Sequence, residues 1–523
     1  MVRPRHAVGL LALLAMFPRA QPCQAQAAAT ALRDSVRAWR AAHEGEIVQE
    51  FTSLLAIPNL ASDSVNIRRN AAALTEMFGR RGFTTRLLEL PGSPPAVFGE
   101  LRAPGATRTV VLYAHYDGQP LDPRRWASSP WQPVLRSRAL AEGGTEIAFP
   151  GPGGRFDPEA RIYARSASDD KAPIIALLAA LDALRAAGAA PSVNIKLFLE
   201  GEEEAGSPNL GAMLAAHRDA LRADAWLFFD GPVHQTRQLL ASFGVRGVAA
   251  VNLTVYGASR PLHSGHYGNW APNPAARLVE LLATLRGPDG RIAIDDFYAD
   301  VRPLGATERK AFAAAPAVET GLKRDLGIAA SEAEPARLGE RIALPALNID
   351  GLQVGGVGDS ASNTIWPEAR AYIDFRLVPD QTPERIQRLL ERHLERRGWH
   401  VLHAAPDSAA RARWPKLVRL EWQPGYPAAR TALDDPFARA VVRSAERGLG
   451  RPLILQPTAG GSLPLFHVRE RLGAPFVILP IANHDNNQHA ENENLRLQNL
   501  WDGIELFAVT LAGLGAEWAG SGK

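Results

Sequence analysis

The chain has 523 residues, 46% of them hydrophobic, and a formal net charge of +3. That length is too great for one compact core, so two domains are expected. The charge excess lies in the first 27 residues, which carry Arg3, Arg5 and Arg19 and no acid; the remainder holds 55 bases against 55 acids. With no Lys/Arg-rich run, nothing favours nucleic acid as a partner.

Residues 1–27 read as a secretory signal peptide. Arg3 and Arg5 precede the apolar run from Ala7 to Phe17, and Ala25-Gln26-Ala27 is the expected cleavage site. The apolar run is about eleven residues, short of the roughly 20 that a permanent membrane span needs, and no later stretch is long enough. A periplasmic or secreted location follows. A lipid-attachment box needs an aliphatic residue three places before its cysteine and a small one just before. Cys23 has Ala20 and Pro22 there, which favours soluble export over anchoring. Cys23 is also the only cysteine, so the mature chain has no disulfide to rely on.

After the signal, Thr30 to Leu55 is expected to be one helix, with Leu32, Val36, Trp39, Ile47 and Phe51 at helical spacing. A second runs from Ala71 to Gly82. Thr109 to Tyr113 is a short apolar run typical of a buried parallel strand. The Gly- and Pro-rich stretch Gly143 to Gly154 is expected to be a surface loop; its glycines could cradle a phosphate, but no Lys-Ser/Thr follows. Next come a helix (Pro173 to Ala187), a strand (Val193 to Leu199), a helix (Leu210 to Leu221) and a strand (Ala225 to Phe229). This alternation predicts an α/β fold, a mostly parallel sheet covered by helices on both faces, with chemistry at the carboxyl ends of its strands.

The pattern changes near Val245. Strands at Val248 to Val255 and Arg370 to Leu377, with helices at Pro274 to Leu285 and Pro383 to Arg397, suit a smaller α+β layer on an antiparallel sheet. Helix–strand alternation resumes at Pro436 to Leu449 and Pro475 to Leu479, and a helix from Leu495 to Leu514 ends the chain. The expected organisation is therefore a catalytic domain built from residues 28–244 and 429–523, with residues 245–428 inserted as a second domain.

Chemistry-bearing residues stand at the predicted strand ends. His115 and Asp117, two apart on extended chain, face the same way, so Asp117 can hold the ring of a metal-binding His115. Asp169-Asp170-Lys171 opens a helix, where an acid is ordinarily a cap but a carboxylate can also bridge two ions. Glu200-Gly201-Glu202-Glu203-Glu204 follows an apolar strand directly, and acids so crowded repel unless cations compensate. Asp230 closes another apolar strand. His489 lies in a loop after a further strand, with His484 as its nearest rival. Each has a bland reading as a cap, a turn or a solvated loop. Together His115, Asp169, Glu204, Asp230 and His489 form a ligand set, and two divalent cations with one hydroxide balance its three carboxylates. Imidazole and carboxylate without thiolate suit zinc, with manganese or cobalt as substitutes.

These motifs resemble those of the M20 metallopeptidases, especially the carnosinase-like dipeptidase and carboxypeptidase branch. The matching pieces are Ala114-His115-Tyr116-Asp117, Ser168-Asp169-Asp170-Lys171, Glu200 to Ser207, Asp230, Leu262-His263-Ser264-Gly265, Phe375-Arg376-Leu377-Val378-Pro379, Gly460 to Pro464, and His489 with Asn492-Glu493. The resemblance implies that His115 and Asp230 hold one metal, Glu204 and His489 the other, and Asp169 both, with a cis peptide to Asp170. It implies that Asp117 steadies His115, that Glu203 is the general base, and that the inserted domain is a lid and homodimer interface. It also implies that His263 reaches a partner subunit's site to stabilise the oxyanion, that Arg376 grips a substrate carboxylate, and that Gly461 and Ser462 line the pocket. The chain departs from the family in three places: Ala164-Arg165-Ser166 where Gly-Arg-Gly is common, Tyr426-Pro427 where branch members can carry His-Pro, and the added stretch Gly143 to Gly154.

The reading is thus an exported metal-dependent exopeptidase acting on short peptides with a free C-terminal carboxylate, with an N-acyl amino acid deacylase as the alternative. A serine hydrolase fits poorly, because Gly460-Gly461-Ser462-Leu463-Pro464 ends in proline where a nucleophile elbow needs glycine. A non-catalytic binding protein of the same fold would lack a ligand or the base, and none is missing.

Overall fold

The structure is a computed structural model that describes residues 22–520 apart from residues 152 and 333. Residues 1–21, most of the expected signal peptide, lie outside the described residues; the cleavage site Ala25-Gln26-Ala27 falls within the first helix, α1 (Pro22–Ala42). The single helix expected from Thr30 to Leu55 is two, because α2 (Glu44–Leu55) starts afresh after His43. The His43 backbone, at φ −122° and ψ 21°, leaves the helical region, and its ring stacks on Trp39 with centroids 4.4 Å apart. The break lets Val36 from α1 and Ile47, Val48 and Phe51 from α2 enter one core. Helix α3 (Ser64–Gly79) starts where the Asp63 carboxylate accepts the Asn66 N–H at 3.0 Å.

The first sheet begins with β1 (Thr84–Leu88), β2 (Ala96–Leu101) and β3 (Thr109–His115). After α4 (Lys171–Ala186) it continues with β4 (Asn194–Glu200), β5 (Ala225–Phe228) and β6 (Leu240–Ser242). β3 runs parallel to both β4 and β5, with His115 opposite Glu200 and Tyr113 opposite Phe228, so their carboxyl ends are level. The helix expected from Leu210 to Leu221 is interrupted at His217, leaving Leu210–Ala216 and Arg218–Leu221.

The stretch from Gly143 to Gly154, expected to be all loop, is partly strand. Glu146–Ile147 pairs with Val134–Arg136 in a four-stranded sheet that also holds Arg161–Tyr163 and Asn494–Arg496. The turn before it needs glycine: Gly143 has φ 77°, and a Cβ on Gly144 would collide with the Arg138 carbonyl.

The chain then crosses through Gly244–Val245 into a second sheet. Its elements are β7 (Gly247–Tyr256), α5 (Pro274–Ala283), β8 (Ala346–Gln353), β9 (Glu368–Leu377), α6 (Pro383–Arg396), β10 (His400–Leu402) and β11 (Leu417–Trp422). The strand order is β8-β9-β7-β11-β10, antiparallel as expected except for the β10–β11 edge. Val251 and Leu253 of β7 pack with Leu281 of α5 and Leu390 of α6. Ala429–Arg430 returns antiparallel to Gly244–Val245, followed by α7 (Pro436–Leu449), β12 (Ile454–Gln456), β13 (Phe476–Ile478) and α8 (Leu497–Ala519).

The completed first sheet has the order β1-β2-β4-β3-β5-β13-β6-β12. Its centre, from β4 to β13, is parallel, with Val477 of β13 opposite Leu227 of β5, whereas β1 and β2 are antiparallel. Alternate residues serve two cores. Val110 and Leu112 join the one built with α4 and α8, and Val111 and Tyr113 join the one containing Leu214 and Val468. The fold is therefore the expected mixed α/β architecture. Among the described residues, no helix is long and apolar enough to cross a membrane.

One buried titratable group makes the second sheet's stability depend on pH. His393 of α6 has Nε2 3.0 Å from Thr284 Oγ1, and burial, followed by the nearby Arg397 charge, pushes its pKa down to about 4. Unfolded, it titrates near 6.5, so the unfolded chain binds more protons between the two values. Its contribution is present above about pH 6.5 and is lost as pH falls toward the folded value. Urea midpoints should therefore drop over that window more steeply for the wild type than for His393→Gln; parallel slopes would contradict the assignment.

Candidate metal and substrate site

The level carboxyl ends of β3, β4 and β5 explain why distant residues meet. His115 ends β3, Glu203 and Glu204 lie on a single 3-10 turn after β4, and Asp230 follows β5. Asp169 precedes α4, and His489 comes from the loop after β13. His115 Nε2 is 2.9 Å from Asp169 Oδ1, and His489 Nε2 is 3.3 Å from Asp169 Oδ2 and 3.1 Å from Glu204 Oε2. Ligand atoms of His115, Asp169 and Glu204 lie within 4.8 Å of one another, as do those of Asp169, Asp170 and Asp230. Two such groups share Asp169. Asp170 joins the second group and does not cap α4: its side chain makes no capping hydrogen bond and accepts the His115 N–H at 3.3 Å. The Asp169–Asp170 peptide is cis, as the resemblance implied.

The electrostatics fit divalent cations. His115 has Asp117 Oδ1 3.3 Å from Nδ1 and Asp169 Oδ1 at Nε2. A neutral imidazole donates through only one nitrogen, so its other lone pair faces a carboxylate oxygen unless a cation lies there. Burial pushes the Asp230 carboxyl up to about 7 and that of Glu204 to about 6, and Glu203 well above the usual carboxylate range. Burial opposes ionisation of Asp169 as well, but hydrogen bonds from His115 and His489 outweigh it and hold its carboxyl low. The same bonds, to Asp169 and then Glu204, raise the His489 imidazole to about 11. Without cations the Asp230 carboxyl and the His489 imidazole keep protons that metal ligands must give up, which fits a donor set for a divalent ion.

Surrounding groups fix these side chains. Asp117 does more than face His115: Oδ1 accepts the Glu203 N–H and Oδ2 the Glu204 N–H, each at 3.0 Å, so one carboxylate ties β3 to the acidic turn. Glu493, fully buried, clamps the Asp169 segment. Its Oε1 accepts from Ser168 N, Ser168 Oγ and Asp169 N at 2.9, 3.0 and 3.0 Å. Its Oε2 accepts from Arg165 Nη1 and Ser166 N, both at 2.8 Å. The departure at Ala164-Arg165-Ser166 keeps the glycine-like turn, because Ser166 adopts φ 62°. An L-residue there costs about 1–2 kcal/mol, offset by the bond its Oγ accepts from Asn59 Nδ2 at 2.9 Å. Gly118 has no room for a side chain, since a Cβ would lie 2.6 Å from that Oγ.

A cavity of about 550 Å³ is lined by Asp169, Glu203, Asp230 and His489 together with Arg376, Gly461 and Ser462. Arg376 projects from β9, with Nε donating to Asp374 Oδ2 and Nη1 to Ser462 Oγ, both at 2.9 Å. Tyr426 is opposite Val248, which is itself opposite Arg376; burial and the Glu203 charge hold its phenol protonated. His263 is not brought to the cluster. It is exposed, and its Nδ1 accepts the Gly265 N–H at 3.1 Å. His484 is also elsewhere, beside Asp485 and Arg496. Sequence reasoning missed Asn59, which carries no motif, and Gln488, whose Nε2 donates to Asp169 Oδ2 at 2.7 Å. Glu493 lay within a matched motif, but its clamping role needed the fold.

The family model for "Peptidase family M20/M25/M40" matches residues 111–512. The chain belongs to that family and is an enzyme of its metallopeptidase type. It is 27% identical over 423 residues to the Cys-Gly metallodipeptidase of Schizosaccharomyces pombe, covering 80% of this chain and 82% of the relative. It is 25% identical over 531 residues to the human Beta-Ala-His dipeptidase, covering 97% of each. The solved M20 family metallo-carboxypeptidase from Sulfolobus solfataricus superimposes with a TM-score of 0.72 at 27% identity, over 90% of this chain and 99% of that one.

Because Arg165 and Glu493 are both buried, removing one leaves an uncompensated charge. Glu493→Ala should lower the unfolding free energy by about 3–5 kcal/mol, read from urea denaturation. A loss below about 1 kcal/mol, the range of an exposed ion pair, would contradict the clamp.

Proposed function

We propose that the protein is an exported dinuclear exopeptidase that hydrolyses the amide bond of dipeptides or short peptides ending in a free carboxylate. The observation that carries this reading is one cavity lined by both the Asp169 cluster and Arg376. A carboxylate gripped by Arg376 would hold a short peptide with its scissile amide toward the acids. The dipeptidase and carboxypeptidase names of the relatives agree with such a substrate.

In this reading His115 and Asp230 hold one ion, Glu204 and His489 the second, and Asp169 both; zinc suits the donors, with manganese or cobalt as substitutes. Such ions would acidify water and polarise the amide carbonyl. Glu203 lines the same cavity and has a raised proton affinity, so it takes a proton from the attacking water and delivers it to the leaving amine. Asp117 orients His115 and the acidic turn. Arg376, held by Asp374 and Ser462, presents a fixed guanidinium, and Gly461 and Ser462 shape the wall beside it. Residues 245–428 form a lid that also joins two subunits. Its exposed His263 and the apolar surface of β8, where Leu352 is 63% exposed, support a homodimer in which His263 serves the partner's site. Export rests on residues 1–27. An N-acyl amino acid deacylase would use the same Arg376, and turnover of dipeptides against N-acyl amino acids by metal-loaded protein separates the two.

Glu203→Gln should retain its metal content by elemental analysis yet lose about 10²–10⁴-fold in kcat; near-normal turnover would rule out the base. His263→Ala should lower kcat more than it raises KM. A change in KM alone would remove His263 from transition-state stabilisation.

A further inference from the structure

The cavity that holds the acids extends well past them. Phe228, just before the Asp230 turn, stands opposite Ile478 of β13, Ile478 opposite Ser242 of β6, and Ser242 opposite Gln456 of β12. Ile478, Ser242 and Gln456 all line the cavity, so its floor crosses these strands to the edge of the sheet. With neighbouring strands about 4.8 Å apart, that floor is roughly 14 Å long. The inserted residues reach the same stretch through Ile342, the last residue of the short helix Leu338–Ile342. Ile342 packs on the loop that meets Arg376: a Cβ on Gly460 would lie 3.4 Å from Ile342 Cδ1, and Ser462 Oγ accepts from Arg376 Nη1 at 2.9 Å.

The chemistry of this stretch differs from that of the acid end. Leu240, Val245, Ile342, Leu463 and Ile478 present carbon, and Gln235, Ser242 and Gln456 are uncharged. Apart from the acids, His489 and Arg376, the one ionisable group among the described lining residues is His234. Its Nδ1 accepts the Thr236 N–H at 3.2 Å, and burial lowers its pKa, so it is neutral at pH 7. A charged side chain would lose its water here without meeting an opposite charge, whereas an aliphatic one gains by leaving water. A smaller recess of about 70 Å³ adjoins the stretch and shares His234, Gln235, Ile342 and Gln456 with it. Phe312, Pro316, Val318 and Ile454 line the recess. The charged groups in its wall, Arg337, Glu319 and Glu340, are bonded to backbone groups. Ile342 thus stands between the cavity and a second apolar space.

We infer that this stretch is the subsite for the side chain of the substrate's C-terminal residue, that it selects an uncharged aliphatic chain, and that Ile342 is its specificity-determining residue. The inference rests on the exopeptidase reading, which puts that residue's carboxylate on Arg376. From Arg376 the contacts run through Ser462 and Gly460 to Ile342, so the side chain on the same Cα meets the apolar stretch. The residue on the other side of the scissile amide lies toward the acids, away from Ile342.

The test measures kcat and KM for the dipeptides Ala-Leu, Ala-Asp and Ala-Phe and for the reversed pair Leu-Ala and Phe-Ala, with metal-loaded wild type, Ile342→Ala and Ile342→Val. The wild type should favour Ala-Leu over Ala-Asp by about tenfold or more in kcat/KM; an equal or reversed order would overturn the aliphatic subsite. Ile342→Ala opens the cavity into the recess. It should raise the ratio of Ala-Phe to Ala-Leu about tenfold, mainly through KM, which is the scale on which an apolar pocket answers a change of a few carbons. The ratio of Phe-Ala to Leu-Ala should stay as in the wild type. A shift in that reversed ratio instead, or equal losses on every substrate, would make Ile342 a packing residue of the Gly460 loop and overturn the proposal. Should Ile342→Ala fail to fold, Ile342→Val decides: the ratio of Ala-Phe to Ala-Leu must still rise, and an unchanged ratio overturns the proposal. A wild type that cleaves the C-terminal amide of Ala-Leu as well as Ala-Leu itself would instead defeat the free-carboxylate reading on which the subsite rests.

Discussion

Asp169, Asp170, Glu203, Glu204 and Asp230 crowd one rim of the sheet, and acids so close cannot all ionise unless cations lie among them. The rest of the site follows from that repulsion. The parallel register of β3, β4 and β5 creates the crowding by ending three apolar strands level. Buried donors then hold the acids apart in a fixed pattern. Two backbone N–H groups of the acidic turn bind Asp117, and five donors bind Glu493.

Glu493 also explains how the two ends of the chain form one site. Asn494–Arg496, from the last part of the sequence, pairs with Arg161–Tyr163, which brings Glu493 against the Asp169 segment and, four residues earlier, His489 against Asp169 and Glu204. One loop supplies a candidate ligand, His489, and clamps another, Asp169. The left-handed Ser166 shows the same economy: a conformation that glycine would adopt freely is held by a hydrogen bond to Asn59.

Much of this was legible in the sequence wherever local pattern and burial coincide. β3 and β5 carry apolar runs and β4 ends in one, Leu197-Phe198-Leu199, and the acids after β4 and β5 announced the rim. Helix breaks were read too weakly: Gly45 stands two residues after the break at His43, whereas His217 interrupts its stretch with no glycine or proline beside it. The strand Glu146–Ile147 lay hidden in a Gly-rich stretch, since its two residues are defined by a partner rather than by their own pattern. Candidate ligand positions could be read one at a time, but Asp170's approach to Asp230 and Gln488's contact with Asp169 arise only from long-range pairing.

The central claim is that these acids and imidazoles cage two cations on either side of Asp169. Anomalous diffraction from crystals of the metal-loaded enzyme tests it most directly. The account predicts two strong anomalous peaks per chain, one on each side of the Asp169 carboxylate. A single peak, or two peaks away from Asp169, would contradict it.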